Sequence, residues 1–430
     1  MAHLTLRQRV ARRSRRLLAP VLRPFPGRRL RPALRPENVG RLAAACKGGV
    51  RGPAFSLLLQ RIDQSRVLPS HRVKVFVAGQ AAFEAMIADI DGATGEVLLE
   101  SYILRDDATG RRFQEALARA ARRGVRVKVA ADSIGSVSTR EGFWQELRTQ
   151  GVDARLLRRL FAHPFSPAFR NHRKILVVDR RVGFTGGMNI GEEYGSFRGA
   201  EGDTWRDTHV RIEGPAAWEM ALVFNEGWTA AGGDPLDIPP LELDDRCDDA
   251  RIVVLDSQPR RGMPEKAAVF AALLAAAQSS VLVSNAYFAP RRLAIDLLIA
   301  AAARGVEVRL LLPGKTDVPL VRHAGHGHFQ RLLAAGVHIH EYQAAILHAK
   351  TLVVDGYAAV VGSTNLDFRS FHFNAECNLV ILDDPTGTQL EAVFRDDLTR
   401  AKEITPAVWA RRSLVHRVGD RLARLLSPVL

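Results

Sequence analysis

The sequence predicts an α/β protein made of two related halves packed face to face. Three observations predict it. VLLESYIL (97–104), a helix-like stretch and RGVRVKVAAD (123–132) are followed much later by VLVSNAYFA (281–289), a similar stretch and RGVEVRLLLP (304–313). By apolar run and period each set reads strand, helix, strand, and a crossover helix between neighbouring strands implies parallel pairing. Downstream, NHRKILVVDRRVGFTGGMN (171–189) matches LHAKTLVVDGYAAVVGSTN (347–365) position for position, 176 residues later. The 430 residues, 47% hydrophobic and 25% charged, suit two domains with substantial cores.

In chain order, residues 1–36 hold eleven arginines, no acid and Pro24, Pro26, Pro32 and Pro36, which reads as a basic tail. Residues 37–235 read as the first half, with 37–70 a helical addition to it. The Gly/Pro-rich acidic stretch near 232–250 is a break, with a linker assigned to 236–248. Residues 249–402 form the second half and 403–430 a basic amphipathic helix. In that last segment Leu414, Val415, Val418, Leu422, Leu425, Leu426 and Val429 recur at helical spacing beside Arg411, Arg412, Arg421 and Arg424. The net charge of +15 is confined to the two ends, because residues 37–400 carry 44 bases and 44 acids. Cationic ends seek an anionic surface, either acidic lipid or nucleic acid. A solvated arm is the alternative at the N-terminus, and packing on the second half is the alternative for the C-terminal helix. No apolar run reaches the length of a membrane span, and the stretch Leu17–Leu22 is too short for a signal peptide. Cys46, Cys247 and Cys377 are few, odd in number and far apart, which argues for a reducing compartment.

The matched segments carry the chemistry. Each reads His-x-Lys-x-x-x-x-Asp followed by Gly-[Gly/Ser]-x-Asn: His172, Lys174, Asp179 and Asn189 in the first, His348, Lys350, Asp355 and Asn365 in the second. On a strand, residues i and i+2 share a face, so imidazole and ammonium project together, a pairing suited to a phosphate. Asp179 and Asp355 complete the candidate catalytic set. Seven residues from their histidines, they fall on the opposite strand face before turns, and a structural role precedes a catalytic one. Asn189 and Asn365 are candidates for binding or orienting the phosphate. Asp207 and Glu376, aligned through DTHVRIE (207–213) and ECNLVIL (376–382), are candidates for orienting the imidazoles. Displacement at phosphorus through a covalent intermediate needs a nucleophile on one side and an acid on the other, and two inward-facing copies supply both. His323, His326 and His328 lie close together, but no Cys or acid cluster joins them, so they read as helix or surface histidines and no metal site is assigned.

At these motifs the sequence resembles the phospholipase D superfamily over roughly residues 70–400. Within it, RNHRKILVVD, FTGGMNIGEEY (184–194), WRDTHVRIEGPA (205–216), KTDVPLVR (315–322), GSTNLDFRS (362–370) and NAECNLVI (374–381) most resemble bacterial cardiolipin synthases of the short type without N-terminal transmembrane helices. The resemblance implies two α/β/α sandwich domains with a pseudo-twofold site between them and no metal or organic cofactor. It implies a phosphatidyltransferase that forms a phosphatidyl-histidine and passes the group to phosphatidylglycerol, with phosphatidylglycerol or phosphatidylethanolamine as donor. His172 is then the nucleophile and His348 the general acid. The expected location is peripheral, on the cytoplasmic face of the bacterial inner membrane. Hydrolysis of lipid with water as acceptor is the first alternative. A nuclease is the second, disfavoured by the neutral core and by an aromatic content of only 7%.

Overall fold

A computed structural model describes residues 36–63, 66–69, 72–157, 170–197, 204–241, 250–258, 263–413 and 423. The basic tail, Cys247 and most of the C-terminal amphipathic segment lie outside the described residues.

The first half is built on a seven-stranded sheet. Its strands are β2 (Arg72–Phe76), β3 (Glu96–Ser101), β4 (Arg126–Asp132), β5 (Asp153–Leu157), β7 (Ile175–Val178), β8 (Val182–Gly186) and β9 (His209–Glu213), in the order β2-β9-β8-β7-β3-β4-β5. The second half repeats this order with β10 (Arg251–Ser257), β11 (Ser280–Asn285), β13 (Glu307–Pro313), β14 (His338–Tyr342), β15 (Lys350–Val354), β16 (Ala358–Gly362) and β18 (Asn374–Leu382), arranged β10-β18-β16-β15-β11-β13-β14. β3 pairs parallel with β4, and β11 with β13, as their crossover helices require. The remaining short strands are β1 (Leu68–Pro69), β6 (Arg170–Asn171), β12 (Phe288–Ala289), β17 (Leu366–Asp367) and β19 (Ala401–Glu403).

Central strands β3 and β7 are buried along their whole length, which is why β7 reads as an unbroken apolar run, Ile175–Val178, and β3 as Val97–Leu99 between two buried glutamates, rather than as alternating patterns. The crossover helix Ala108–Arg122 shows the other pattern. Asp107 caps it, accepting from the Gly110 N–H at 2.8 Å, and Phe113, Ala116, Leu117 and Ala120 form its buried stripe.

Three cores separate the layers. One lies between the first sheet and its outer helices, and includes Phe83, Leu99, Phe113 and Leu176. Another lies under the outer helices of the second sheet, and includes Leu273, Val283 and Leu352. Between the sheets, Leu98 and Val177 of one half meet Val254 and Val353 of the other around Phe224 and Trp228 of the helix Pro215–Ala230 and Leu390 and Phe394 of the helix Asp384–Thr399. Each half is thus an α/β/α sandwich, and the inner helices form a shared middle layer.

One boundary differs from expectation. Residues 37–70 do not extend the first half. Ala43, Val50, Phe55, Leu59 and Ile62 are buried in the second half's outer core, and β1 pairs with β10. The start of the C-terminal segment also packs on the second half. Trp409 is buried against Phe329, with ring centroids 4.9 Å apart, and Ala423 is buried with Ala289, Val321 and Ala324.

Candidate active site

The two His-x-Lys motifs open β7 and β15, and each is gripped by the opposite half. β6 runs parallel to the start of β18, with Asn374 opposite Arg170 and Ala375 opposite Asn171. The next residue, His172, donates its N–H to the Ala375 carbonyl at 2.9 Å, and its Nδ1 lies 3.1 Å from Glu376 Oε2. The mirror arrangement holds the second motif. Arg206 donates its N–H to the Ile346 carbonyl at 2.8 Å, His348 donates to the Arg206 carbonyl at 2.7 Å, and His348 Nδ1 lies 2.7 Å from Asp207 Oδ2. In both cases one residue of the far half takes the histidine's backbone and the next takes its imidazole. Asp207 and Glu376 therefore serve the histidine of the other motif.

The lysines fold back on their own histidines. Lys174 Nζ donates to the His172 carbonyl at 2.8 Å, and Lys350 Nζ lies 2.8 Å from His348 Nδ1. His172, Lys174, His348, Lys350, Asp207 and Glu376 are all buried. Burial, and then Lys174, hold His172 below its ordinary value; burial, and then Lys350, push His348 down to about 4. Burial likewise brings Lys174 down to about 7 and Lys350 to about 8. Burial raises the carboxyls of Asp207 and Glu376, but the facing cations and imidazoles outweigh it and leave both below the usual range. Each lysine also acts on the histidine of the other motif, so the two lysines and two imidazoles share one site.

The carboxylates have matched surroundings. A Cβ on Gly187 would sit 2.1 Å from Asp207 Oδ1, so the short carboxylate needs glycine there. At the corresponding place Ser363 donates its hydroxyl to Glu376 Oε2, and Asn374 Nδ2 donates to Oε1 at 3.3 Å.

Asp179 and Asp355 are not brought to the histidines. They sit beyond the far ends of β7 and β15, about 20 Å of strand away. Asp179 accepts the N–H groups of Thr94, Gly95 and Glu96 at 2.7–2.9 Å, and Asp355 those of Gln278, Ser279 and Ser280 at 2.8–2.9 Å. These aspartates fasten hairpin turns to the loops entering β3 and β11. Asn189 is spent on structure, accepting from the Ile103 N–H at 3.2 Å and donating to the Tyr194 hydroxyl at 2.6 Å. Asn365 is buried, and its carbonyl oxygen has no hydrogen-bond partner among the described residues. His326 pairs with Glu341 at 3.2 Å, and among the described residues no group of three His, Cys, Asp or Glu is placed to hold a metal ion.

Several residues escaped the sequence reading. Tyr102 lies edge-on to His172 at 5.0 Å, while Tyr194, Trp205 and Tyr287 surround His348 at 5.3, 5.1 and 6.0 Å. Tyr102 directly follows β3 and Tyr287 lies two residues past β11, both inside the matched segments, a signal available in the sequence. Arg206 makes a two-pronged pair with Asp397 at 3.0 and 2.7 Å and joins the halves beside Asp207. Arg173, fully buried, reaches Asp256 at 3.3 Å across the same boundary.

With this geometry in hand, the family model described as "Cardiolipin synthase, PLD-like domain" matches residues 86–202 and 270–398, one stretch in each half. The chain belongs to the cardiolipin synthase family. It is a phosphatidyltransferase of the phospholipase D superfamily. Among similar proteins, the cardiolipin synthase of Geobacillus sp. (strain WCH70) is 34% identical over 386 residues, which is 87% of this chain and 75% of that one. Cardiolipin synthase A of Pseudomonas putida (strain GB-1) is 36% identical over 376 residues, 86% of this chain and 78% of that one. The crystal structure of phosphatidylserine synthase from Haemophilus influenzae Rd KW20 shares the fold, with a TM-score of 0.68 at 14% identity over 86% of this chain and all of that one. Among the described residues no helix is long and apolar enough to cross a membrane.

Proposed function

We propose that the chain transfers a phosphatidyl group from one phospholipid to the hydroxyl of phosphatidylglycerol through a phosphohistidine at His172. The reading rests on the crossed pairing of each motif's histidine with the other half's carboxylate, 3.1 Å for His172–Glu376 and 2.7 Å for His348–Asp207. It divides the roles as follows. His172 Nδ1 faces two acceptors, Glu376 and the Ser363 carbonyl at 3.1 Å, and so carries a proton. In the neutral ring that burial favours, Nε2 then holds the lone pair. Nε2 attacks phosphorus, the bond to the leaving alcohol breaks, and His348 gives that oxygen a proton. In the second step His348 takes the proton of the acceptor hydroxyl, whose oxygen displaces His172. His348 is neutral in the free site; an anionic phosphate arriving beside it raises its basicity, so it takes up a proton from solvent as the donor binds, gives that proton to the leaving oxygen, and regains one from the acceptor hydroxyl. Lys174 and Lys350 offset the charge that builds on the phosphoryl oxygens. With phosphatidylglycerol as both donor and acceptor, the products are cardiolipin and glycerol; phosphatidylethanolamine as donor releases ethanolamine instead. An acidic lipid surface, such as the cytoplasmic face of a bacterial inner membrane, suits the two cationic ends of the chain.

The test is a product assay on phosphatidylglycerol vesicles with wild type, His172→Ala and His348→Ala. Cardiolipin and glycerol are expected together, with loss of at least about a thousandfold in both variants. Phosphatidic acid alone makes the chain a hydrolase. Cardiolipin made at full rate by His172→Ala overturns the assignment of the nucleophile.

A further inference from the structure

The outer face of the second sheet holds an open cavity beneath the helix Met263–Ala276, about 500 Å³ including its mouth. Its walls are apolar, formed by Leu255, Val269, Leu273, Leu352, Val360 and Phe371. Lys266, Lys350, Asn285 and Asn378 also line it. Lys350 is the second motif's lysine, so the cavity adjoins the candidate active site.

The internal duplication shows that this space is a local departure. In the first half the helix Gly79–Gly92, fourteen residues like its counterpart, covers the equivalent sheet face. There Phe76 pairs with His209 where Leu255 pairs with Asn378, and Phe184 pairs with Leu176 where Val360 pairs with Leu352. Phe76 and Phe184 are both buried and stack with centroids 6.5 Å apart. Two large rings thus fill one half where a leucine and a valine line the hollow of the other. At the helix position of fully buried Ala82, the second half places Lys266, whose ammonium donates to Ser257 Oγ at 3.0 Å and to the Ser370 carbonyl. Apolar walls that also carry two amines, one of them the lysine beside the candidate phosphate site, match a long hydrocarbon joined to an anionic head.

We propose that this cavity seats one fatty acyl chain of the phosphatidyl group being transferred. The proposal rests on the phosphatidyl-transfer reading above and adds to it the seat of the substrate's tail. That group stays on the enzyme through both steps, so a seat for its chain holds it while the alcohols exchange.

The test uses the full chain, with dihexanoyl- and dioleoyl-phosphatidylglycerol as donors and ethanol as acceptor, in wild type, Val360→Phe and Leu255→Phe. Each variant installs the ring that the first half carries. For the dioleoyl donor kcat/KM is expected to fall at least about tenfold, while for the dihexanoyl donor it stays within about twofold. Equal losses on both donors, or an unchanged preference, overturn the proposal. Binding of octyl phosphate against ethyl phosphate supplies a readout independent of turnover. Wild type is expected to bind the octyl compound at least about tenfold more tightly, and Val360→Phe to lose that gain. No gain in wild type overturns the acyl seat even if a variant fails to fold. A gain without turnover of either lipid keeps the seat and overturns the transfer reading.

Discussion

His209 stands where the second half has Asn378, one turn of pleat from Asp207, and both of its ring nitrogens lack a hydrogen-bond partner among the described residues. Burial pushes its pKa down to about 4. The folded state therefore holds the ring neutral while the unfolded chain, with an ordinary value near 6.5, takes up a proton. Its cost is absent above pH 6.5 and grows as pH falls toward 4, reaching up to about 3 kcal/mol. His209→Asn, which copies the second half, is expected to flatten the loss of stability between pH 7 and pH 4.5, read from urea midpoints. An unchanged pH slope would show that other groups set it. The sequence held no clue to this residue, because a histidine on an apolar strand looks the same whether or not its nitrogens find partners. The candidate histidines, His172 and His348, were legible because two copies of one spacing stood in one chain. Which carboxylate each of them meets was not, since that depends on how the halves pack.

Asp179 and Arg180 adopt φ of 50° and 55°, and Asp355 and Gly356 adopt 54° and 60°, the two left-handed residues of a type I′ hairpin turn. The sequence announced the second turn through Asp355-Gly356; the first has arginine in the glycine's place, and Arg180 is held there by its pairing with Glu96. Each aspartate also caps the backbone of the loop that enters the parallel pair of strands. Asp179→Ala leaves three N–H groups without their acceptor and is expected to cost about 1–3 kcal/mol. Its kcat, corrected for folded protein, should stay within about twofold of wild type. A hundredfold loss of kcat in folded Asp179→Ala would return this aspartate to the chemistry. The eight-residue motif therefore places two things on one strand: the buried His-Lys pair at one end, and at the other a distant aspartate anchor that shares only the spacing.

Across the whole molecule, the two halves are less separable than their repeats suggest. The helix Pro53–Asp63 precedes the first half in sequence yet completes the second half's core, as an apolar stripe reveals that a helix packs but not on what. Deleting residues 1–63 strips Val50, Phe55, Leu59 and Ile62, each worth about 1.5–3 kcal/mol when buried, and is expected to yield insoluble or molten protein. A cooperative, unchanged melt after this deletion would refute this account of the second half's core. The exchange of carboxylates between halves has a further consequence for descent. A single ancestral half, carrying one histidine and one carboxylate, would have been complete only as a symmetric pair of identical chains, each lending its acid to the other. Within one chain a change need not appear on both sides of the axis, so Gly187 with Asp207 and Ser363 with Glu376 are separate solutions to one problem, and only the first half carries the stacked Phe76 and Phe184.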